Sequence, residues 1–216
     1  MLVLAGLGNP GAGYAGHRHN MGFMAVDAIS SLHRLAPWRK KFQGDVAEGE
    51  IAGTRVLLLK PMTYMNLSGQ SVAAALGFYK LGPEALIVFH DELDVMLGRV
   101  KVKAGGGHGG HNGIRDIMAH IGPEFRRVRL GVGHPGDKAL VHNHVLQDFA
   151  KQERELAGKV VEAVAAEVPR LVAGDDGGFM SRVAFLLASP KPKKEKPPEP
   201  PTGREEKPAQ PSKRDE

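Results

Sequence analysis

Short apolar runs alternate with helical patterns along residues 1–188, and this alternation restricts the possible folds more than any other feature of the sequence. Continuous apolar runs predict buried strands at residues 2–5, 55–60 and 85–90, and weaker runs predict half-exposed strands at residues 48–51, 99–103 and 128–132. Helical periodicity appears at residues 21–35, 67–79, 113–121, 149–171 and 178–188. We therefore predict a single-domain α/β fold, with a twisted mixed, largely parallel sheet and helices on both faces. Asn20 and Asn66 are predicted to cap the first two helices.

The end of the chain differs sharply from this pattern. Residues 189–216 contain eight of the fifteen prolines and no Val, Ile, Leu, Met or aromatic residue. Such a segment cannot bury enough apolar surface to offset the entropy lost on ordering. We therefore predict a catalytic domain at residues 1–188 and a disordered tail, rich in Pro, Lys and Glu, at residues 189–216.

Composition excludes several classes of protein. The 216 residues include no cysteine, which removes disulfides, thiolate metal sites and cysteine nucleophiles. No apolar run approaches the roughly 18 residues that span a membrane, and the start lacks the basic region of a secretory signal. We therefore expect a soluble, cytoplasmic protein without a membrane partner. The net charge of +5 permits an anionic partner without establishing one.

Polar loops follow the predicted strands at the edge of the sheet where ligands usually bind. In α/β sheets, binding sites form at the carboxyl ends of the strands. Four such loops, at residues 8–20, 61–66, 90–94 and 104–112, carry polar side chains that a simple turn does not need. We expect these loops to form the functional site together.

Glycine patterns in two of these loops raise the question of a nucleotide site. Gly6, Gly8 and Gly11 have the spacing of the dinucleotide fingerprint, but helical periodicity begins only near residue 21 and no acidic residue ends a second strand at the required distance. The segment at residues 105–113 lacks the Gly-Lys-Ser/Thr ending of a Walker loop. Its glycines nevertheless surround two histidines and an asparagine, which favours close contact between a ligand and the backbone, and we place His111 among the substrate-binding residues.

The ten histidines of the chain raise the question of a metal site. The spacings typical of zinc ligands, His-Glu-x-x-His or two histidines at i and i+4 on one helix face, are not found. We therefore predict no metal and no cofactor. Single histidines are interpreted as structural or surface residues, as for His33, His120 and His142.

One histidine and one aspartate are placed for acid–base chemistry. His19 lies in a strand-end loop and Asp91 ends a predicted buried strand. A neutral histidine beside a carboxylate activates water at neutral pH, and water is the better nucleophile here because no Gly-x-Ser-x-Gly elbow is found. Asn9, Asn66 and Asn112 add amides that can donate to a carbonyl oxygen and accept from a peptide N–H.

Several long motifs resemble, in the same order, those of bacterial-type peptidyl-tRNA hydrolase. Together they cover residues 1 to about 188 and are very specific; the proline-rich tail lies outside the match. They are GLGNPG at residues 6–11 with Tyr14, RHNMG at residues 18–22, KPMTYMNLSG at residues 60–69, HDELD at residues 90–94, GGGHGGHNG at residues 105–113 and RLGVGHPG at residues 129–136.

The resemblance implies a monomeric α/β enzyme of translation and ribosome rescue. Members of this family cleave the ester between a peptide and the terminal ribose of tRNA, so the chain would be a carboxylic ester hydrolase with tRNA as its partner. His19 would be the general base, Asp91 would hold it in its basic form, and Asn9 would separate blocked from free aminoacyl-tRNA. The remaining implied roles are binding of the peptide and the tRNA 3′ end by Tyr14, Tyr64, Asn66 and Asn112, and binding of the 5′ phosphate by Lys103 and Arg129.

One position departs from the family pattern, and one rival function shares the fold. His17 stands where the family more often has Thr, which puts in question whether His19 is the only titrating imidazole of its loop. The rival is a catalytically silent relative of the same fold, since some relatives act as RNA-binding splicing factors in organelles. Intact His19, Asp91 and three asparagines favour the enzyme, although a binding protein could retain them.

Overall fold

The structure, a computed structural model, describes residues 1–188; the tail predicted at residues 189–216 lies outside the described residues. Within that range, seven strands form one mixed sheet in the order β2-β3-β4-β1-β5-β7-β6. The strands are β1 Leu2–Gly6, β2 Arg39–Lys41, β3 Gly44–Ile51, β4 Thr54–Pro61, β5 Leu86–Glu92, β6 Val100–Ala104 and β7 Arg126–Gly131.

The predicted mixed α/β sheet is confirmed, but it is not largely parallel, because three of its six strand pairs are parallel and three are antiparallel. Its parallel part is central. β4, β1, β5 and β7 are parallel neighbours, whereas β2, β3 and β6 join the two edges in antiparallel register. β7 was predicted to be half-exposed but is mostly buried, because it lies between β5 and β6. β2 was not predicted, because its sequence Arg-Lys-Lys has no apolar residue.

Helices cover both faces of the sheet, as predicted. Among the described residues they are α1 Met21–Leu32, α2 Ser68–Tyr79, α3 Asn112–Ile121, α4 Val141–Val145, α5 Lys151–Val172 and α6 Asp176–Leu187. α1, α5 and α6 share one apolar core with one face of the sheet, and α2 and α3 share a second core with the other face. The short α4 was not predicted. No helix within residues 1–188 has both the length and the apolar character required to cross a membrane.

Close packing at the start of α1 fixes the position of the loop that precedes it. A Cβ atom at Gly22 would collide with backbone atoms of Leu7 and Phe89, so only glycine lets the helix approach the ends of β1 and β5 this closely. The Leu7 amide donates to the Phe89 carbonyl at 2.9 Å, and the Phe23 amide donates to the Leu7 carbonyl at 3.1 Å. His19 and Asn20, just before α1, are therefore held beside the end of β5.

The two predicted helix caps are wrong. The Asn20 side chain makes no capping bond; it accepts from the Asn9 amide at 3.0 Å and donates to the Asn9 carbonyl at 2.9 Å. α2 begins at Ser68 without a side-chain cap, which leaves Asn66 exposed. Both asparagines therefore belong to the loops around the site and not to the helices they precede.

Candidate active site

A crevice of about 810 Å³ opens at the carboxyl ends of the central strands. All four polar loops predicted to converge contribute to its lining: Asn9 and His19 from the first, Tyr64 and Asn66 from the second, Asp91 and Asp94 from the third, and His111 and Asn112 from the fourth. One wall was not predicted and comes from residues 134–146 around α4, which include Lys138, Val141 and His142. His142 lines the crevice and is exposed, so its interpretation as a surface residue stands.

His19 and Asp91, 72 residues apart in the chain, are in direct contact. The Nδ1 atom of His19 lies 2.9 Å from Asp91 Oδ1 and 3.0 Å from Oδ2, and both side chains are buried. A carboxylate only accepts hydrogen bonds, so the His19 proton sits on Nδ1. The Nε2 atom makes no hydrogen bond within residues 1–188, and in this tautomer it carries the basic lone pair.

A second imidazole shares the same carboxylate. The Nε2 atom of His111 lies 3.0 Å from Asp91 Oδ1, while its Nδ1 accepts from the amides of Gly113 and Ile114 at 3.2 and 3.3 Å, which makes it the N-terminal cap of α3. Because Nδ1 accepts, the proton of neutral His111 must be on Nε2, where it donates to Asp91. His111 therefore donates to Asp91, and because it also lines the crevice, its role in substrate binding stays a prediction.

Asp91 sets the protonation of this cluster. Burial by itself would lower the pKa of His19, but the charge and hydrogen bond of Asp91 outweigh it and raise that pKa above its ordinary value. Burial likewise opposes ionisation of Asp91. The charges of His19 and His111, and the hydrogen bonds that both rings donate, nevertheless hold the pKa of this carboxyl well below its usual range. Asp91 is therefore ionised at neutral pH and favours the imidazolium form of His19.

His90 forms a neutral layer beneath the cluster. Its Nδ1 donates to the Asp91 carbonyl at 2.7 Å, and its ring packs edge-on against His111 with the centroids 4.9 Å apart. Complete burial, and next the charge of His111, lower the pKa of His90 to about 3. His90 thus stays uncharged and fixes the position of the His111 ring.

The spacing of His19, Asp91 and His111 could also suit a metal ion, since their ligand atoms lie within 4.8 Å of one another. The hydrogen bonds argue against this interpretation. His111 Nε2 carries a proton because Nδ1 is occupied by two backbone amides, so it has no lone pair to offer a metal. The cluster is explained by hydrogen bonding alone, and the absence of a metal stays a prediction.

The three asparagines differ in what they can offer a ligand. Asn9 Oδ1 accepts from the Met65 amide at 2.9 Å, and Asn112 Oδ1 accepts from Arg115 at 2.7 Å. Each oxygen keeps a second lone pair, so both residues can still accept as well as donate. The Asn66 side chain makes no hydrogen bond within residues 1–188, and the donor and acceptor roles stay predictions for all three asparagines.

Comparison with known proteins bears directly on this arrangement. A sequence model described as "Peptidyl-tRNA hydrolase" matches residues 3–195 of the chain. The chain belongs to the peptidyl-tRNA hydrolase family. A peptidyl-tRNA hydrolase of Agrobacterium fabrum is 56% identical over 197 residues, which cover 91% of this chain and 82% of the relative. That of Mesorhizobium japonicum is 58% identical over 187 residues, covering 87% and 78% of the two chains.

Solved structures of the family show the same fold. The crystal structure of peptidyl-tRNA hydrolase from Acinetobacter baumannii superposes with a TM-score of 0.80 at 44% sequence identity. The match covers 85% of this chain and 94% of that chain. The overall fold of this chain is therefore the same as that of the solved family member.

Three residues that the family resemblance marked for binding lie outside the crevice lining. Tyr14 ends a short 3-10 turn, and its ring contacts His17 edge-on with the centroids 5.3 Å apart. Lys103 and Arg129 lie on β6 and β7 near the sheet edge, where Arg129 Nε donates to Glu92 at 2.8 Å. These residues can reach only parts of a substrate that extend beyond the crevice.

Two buried arginines hold the site together and were not predicted. Arg18, only 6% exposed, donates to the Asp148 carbonyl at 2.9 Å and pairs with Glu153, which ties the His19 loop to the start of α5. Arg127, only 3% exposed, donates to the carbonyls of Gly106 and Gly107 at 2.7 Å. Arg18 stood in a quoted motif, but nothing in the sequence distinguished these arginines from surface charges.

Proposed function

We propose that the chain hydrolyses the ester bond of peptidyl-tRNA and releases the peptide and a reusable tRNA. The observation that carries the proposal is the His19 ring, held at Nδ1 by ionised Asp91 and left with a basic Nε2 in a crevice lined by carboxamides. The relatives named peptidyl-tRNA hydrolase, more than half identical over most of the chain, support this substrate.

In the proposed mechanism, His19 acts as the general base. Nε2 takes a proton from water, and the resulting hydroxide attacks the ester carbonyl. Asn9 and Asn112 present N–H donors for the carbonyl oxygen as it becomes negative. The ribose oxygen then leaves with the proton from the imidazolium, which Asp91 has stabilised in the meantime.

The same donors give a reason for selecting N-blocked substrates. A peptide or acetyl group provides a carbonyl next to the reacting residue, which the N–H donor of Asn9 can bind, and a peptide N–H, which Asn66 can accept. An unblocked aminoacyl group instead brings an ammonium toward donors that cannot pair with it. We therefore propose that the charge and hydrogen-bonding pattern of the amino end decides which aminoacyl-tRNA is cleaved.

A comparison of two substrates tests this function. We would incubate the protein with N-acetyl-aminoacyl-tRNA and with the same aminoacyl-tRNA left unblocked, and measure release of the amino acid. Release from the blocked substrate alone is the expected result. Equal release from both would contradict the proposed selection, and binding of tRNA without any release would identify the rival RNA-binding protein.

We further propose that the basic face of the β6–β7 edge binds the tRNA phosphate. Val128 and Leu130 of β7 point into the core shared with α5 and α6, so Arg129 between them points to the other face of the sheet. Lys103 stands opposite Arg127 and therefore lies on the same face as Arg129. Both cations would bind phosphate without reading base sequence.

Replacing Arg129 with alanine should weaken tRNA binding and reduce the salt slope of binding by about one, because one phosphate contact is lost. Cleavage of a minimal ester that lacks the tRNA body should be retained. Binding isotherms at several salt concentrations would measure the effect. Arg182→Ala is the matched control, since Arg182 also pairs with a glutamate, at 3.3 Å, but lies on α6. Equal losses on the minimal ester and on full peptidyl-tRNA would contradict a phosphate role.

The other expectations for the chain stay predictions: no cofactor, a monomer, a cytoplasmic location, and a catalytic unit complete within residues 1–188. Of these, the catalytic unit follows most directly from the proposed function. All residues to which we give a chemical role lie between Asn9 and Arg129. We therefore propose that residues 1–188 suffice for hydrolysis.

A further inference from the structure

Arg129 is surrounded by positive charge on its face of the sheet. Its cross-strand partner on β6 is Lys101, which is exposed. Arg127, two residues earlier on β7, points to the same face, because successive side chains of a strand alternate. Burial, and next the charge of Arg129, lower the pKa of Arg127, while Glu124 and Glu92 oppose this effect. Arg129 therefore lies between two cations that repel it.

One carboxylate offsets this repulsion. Oε2 of Glu92 accepts a hydrogen bond from Arg129 Nε at 2.8 Å. The β7 residue directly opposite Glu92 is Gly131, which has no side chain, so the carboxylate meets Arg129 diagonally across the two strands. Both side chains are shielded, with 12% of Glu92 and 24% of Arg129 exposed. A shielded ion pair that includes a hydrogen bond is stronger than an exposed one.

Glu92 has little freedom of its own. It ends β5, and its carbonyl accepts from the Val132 amide at 3.1 Å. The second carboxylate oxygen, Oε1, accepts from the Asp94 amide at 3.3 Å. The residue directly follows Asp91, and its side chain lines the crevice. Glu92 is therefore a fixed acceptor, and the position of the Arg129 guanidinium follows from it.

The contact at Nε leaves the outer edge of the guanidinium free. Neither Nη atom of Arg129 makes a hydrogen bond within residues 1–188. A guanidinium binds a phosphate through two N–H groups in a fixed fork. With Nε bound to Glu92, the two Nη atoms form the edge that a phosphate can bind. Ordering a long side chain on binding costs about two- to tenfold in affinity, and the pair with Glu92 removes much of this cost beforehand.

We propose that Glu92 is a positioning residue of the tRNA site: it holds Arg129 against the repulsion of its neighbours and directs both Nη atoms toward the 5′ phosphate of tRNA. The inference rests on the proposed function, because it takes the face of β6 and β7 to bind tRNA. It gives a favourable role to a carboxylate that, by its charge alone, would weaken a phosphate site.

The test compares binding of an uncharged tRNA with a 5′ phosphate and of the same tRNA after removal of that phosphate. The ratio of the two dissociation constants isolates the contact with the 5′ phosphate, because every other tRNA contact is present in both. We expect the wild type to prefer the phosphorylated tRNA, and Glu92→Ala to reduce this preference by about two- to tenfold. Glu92→Gln keeps an oxygen that can accept from Nε, so it should retain the preference.

Glu167→Ala is the matched control. Glu167 also accepts from arginine Nε atoms, those of Arg170 and Arg182 at 3.1 and 3.3 Å, but it lies on α5, outside the crevice lining. Its removal should leave the wild-type ratio unchanged. In an Arg129→Ala background, Glu92→Ala should cause no further loss, because its effect passes through Arg129.

A carboxylate that merely neutralised Arg129 would give the opposite result. Glu92→Ala and Glu92→Gln would then both strengthen the preference for the phosphorylated tRNA. This result, an unchanged ratio in Glu92→Ala, or a Glu92→Gln that loses the preference as Glu92→Ala does would overturn the proposal. A wild type that binds both tRNAs equally would overturn it as well. Release from N-acetyl-aminoacyl-tRNA is measured separately, and its absence would contradict the proposed function whatever the binding ratios are.

Discussion

Replacing His19 with alanine should slow hydrolysis of N-acetyl-aminoacyl-tRNA by about 10²–10⁴-fold, the usual contribution of a general base. The variant lacks the Nε2 lone pair that accepts the proton of water, but the asparagines of the crevice and the basic face of β6 and β7 remain. Binding of tRNA should therefore be retained. Single-turnover hydrolysis with enzyme in excess, together with a separate binding isotherm, would resolve the two effects.

His17→Ala is the matched control for this experiment. His17 is the other imidazole of the same loop, but its ring contacts Tyr14 and its Nε2 lies 4.0 Å from Asp148, away from the crevice lining. We expect His17→Ala to lose far less activity than His19→Ala. This result would also show that the histidine at position 17, where the family more often has Thr, takes no part in the chemistry. Near-normal hydrolysis by His19→Ala would remove His19 from the mechanism.

Replacing Asp91 with asparagine should also cost about 10²–10⁴-fold in turnover, although the side chain keeps nearly the same size and shape. The carboxylate accepts N–H bonds from both His19 and His111. A carboxamide has one oxygen and one NH₂ group, so it cannot accept from both rings in the same way, and one ring must change its tautomer or lose its partner. The imidazolium of His19 also loses the charge that stabilises it.

Asp94→Asn separates this effect from a general loss of negative charge. Asp94 also lines the crevice but is exposed, and its carboxylate contacts neither imidazole. Single-turnover rates should show a small change for Asp94→Asn and a large one for Asp91→Asn. Similar, small changes in both variants would mean that Asp91 does not orient or charge the base.

The convergence of the site could be predicted because it depends on a property of the whole sheet. The carboxyl ends of neighbouring parallel strands meet at one edge, so His19 after β1 and Asp91 at the end of β5 were expected to be close before any distance was known. The same reasoning brought Asn66, which follows β4, to this edge. It does not account for Asn112, because β6 is antiparallel and ends beside Arg126 at the start of β7, so the glycine-rich loop must carry the chain back to the crevice. The position of the loops could not specify that Asn9 accepts from the Met65 amide and Asn112 from Arg115.

What could not be predicted depends on contacts between distant segments. Asn20 looks like a helix cap in sequence, and only its two bonds to the Asn9 backbone show that it holds a loop. The role of His111 follows from two backbone amides that fix its tautomer. Arg127 looks like an exposed strand charge until the carbonyls of the glycine-rich loop are placed around it. The wall around α4 was missed because five residues are too few for periodicity to show.

The pH dependence of single-turnover hydrolysis, measured in the wild type and in Asp91→Asn, tests most directly whether His19 is a base tuned by Asp91. In the wild type the rate should fall as pH decreases through a pKa above the ordinary value for histidine, because the protonated ring cannot accept a proton. In Asp91→Asn only the opposing effect of burial remains, so this decrease should move to lower pH while the maximal rate falls. If the rate decreased around the same pH in both proteins, Asp91 would not set the pKa of His19. That result would contradict the account of His19 as a base tuned by Asp91.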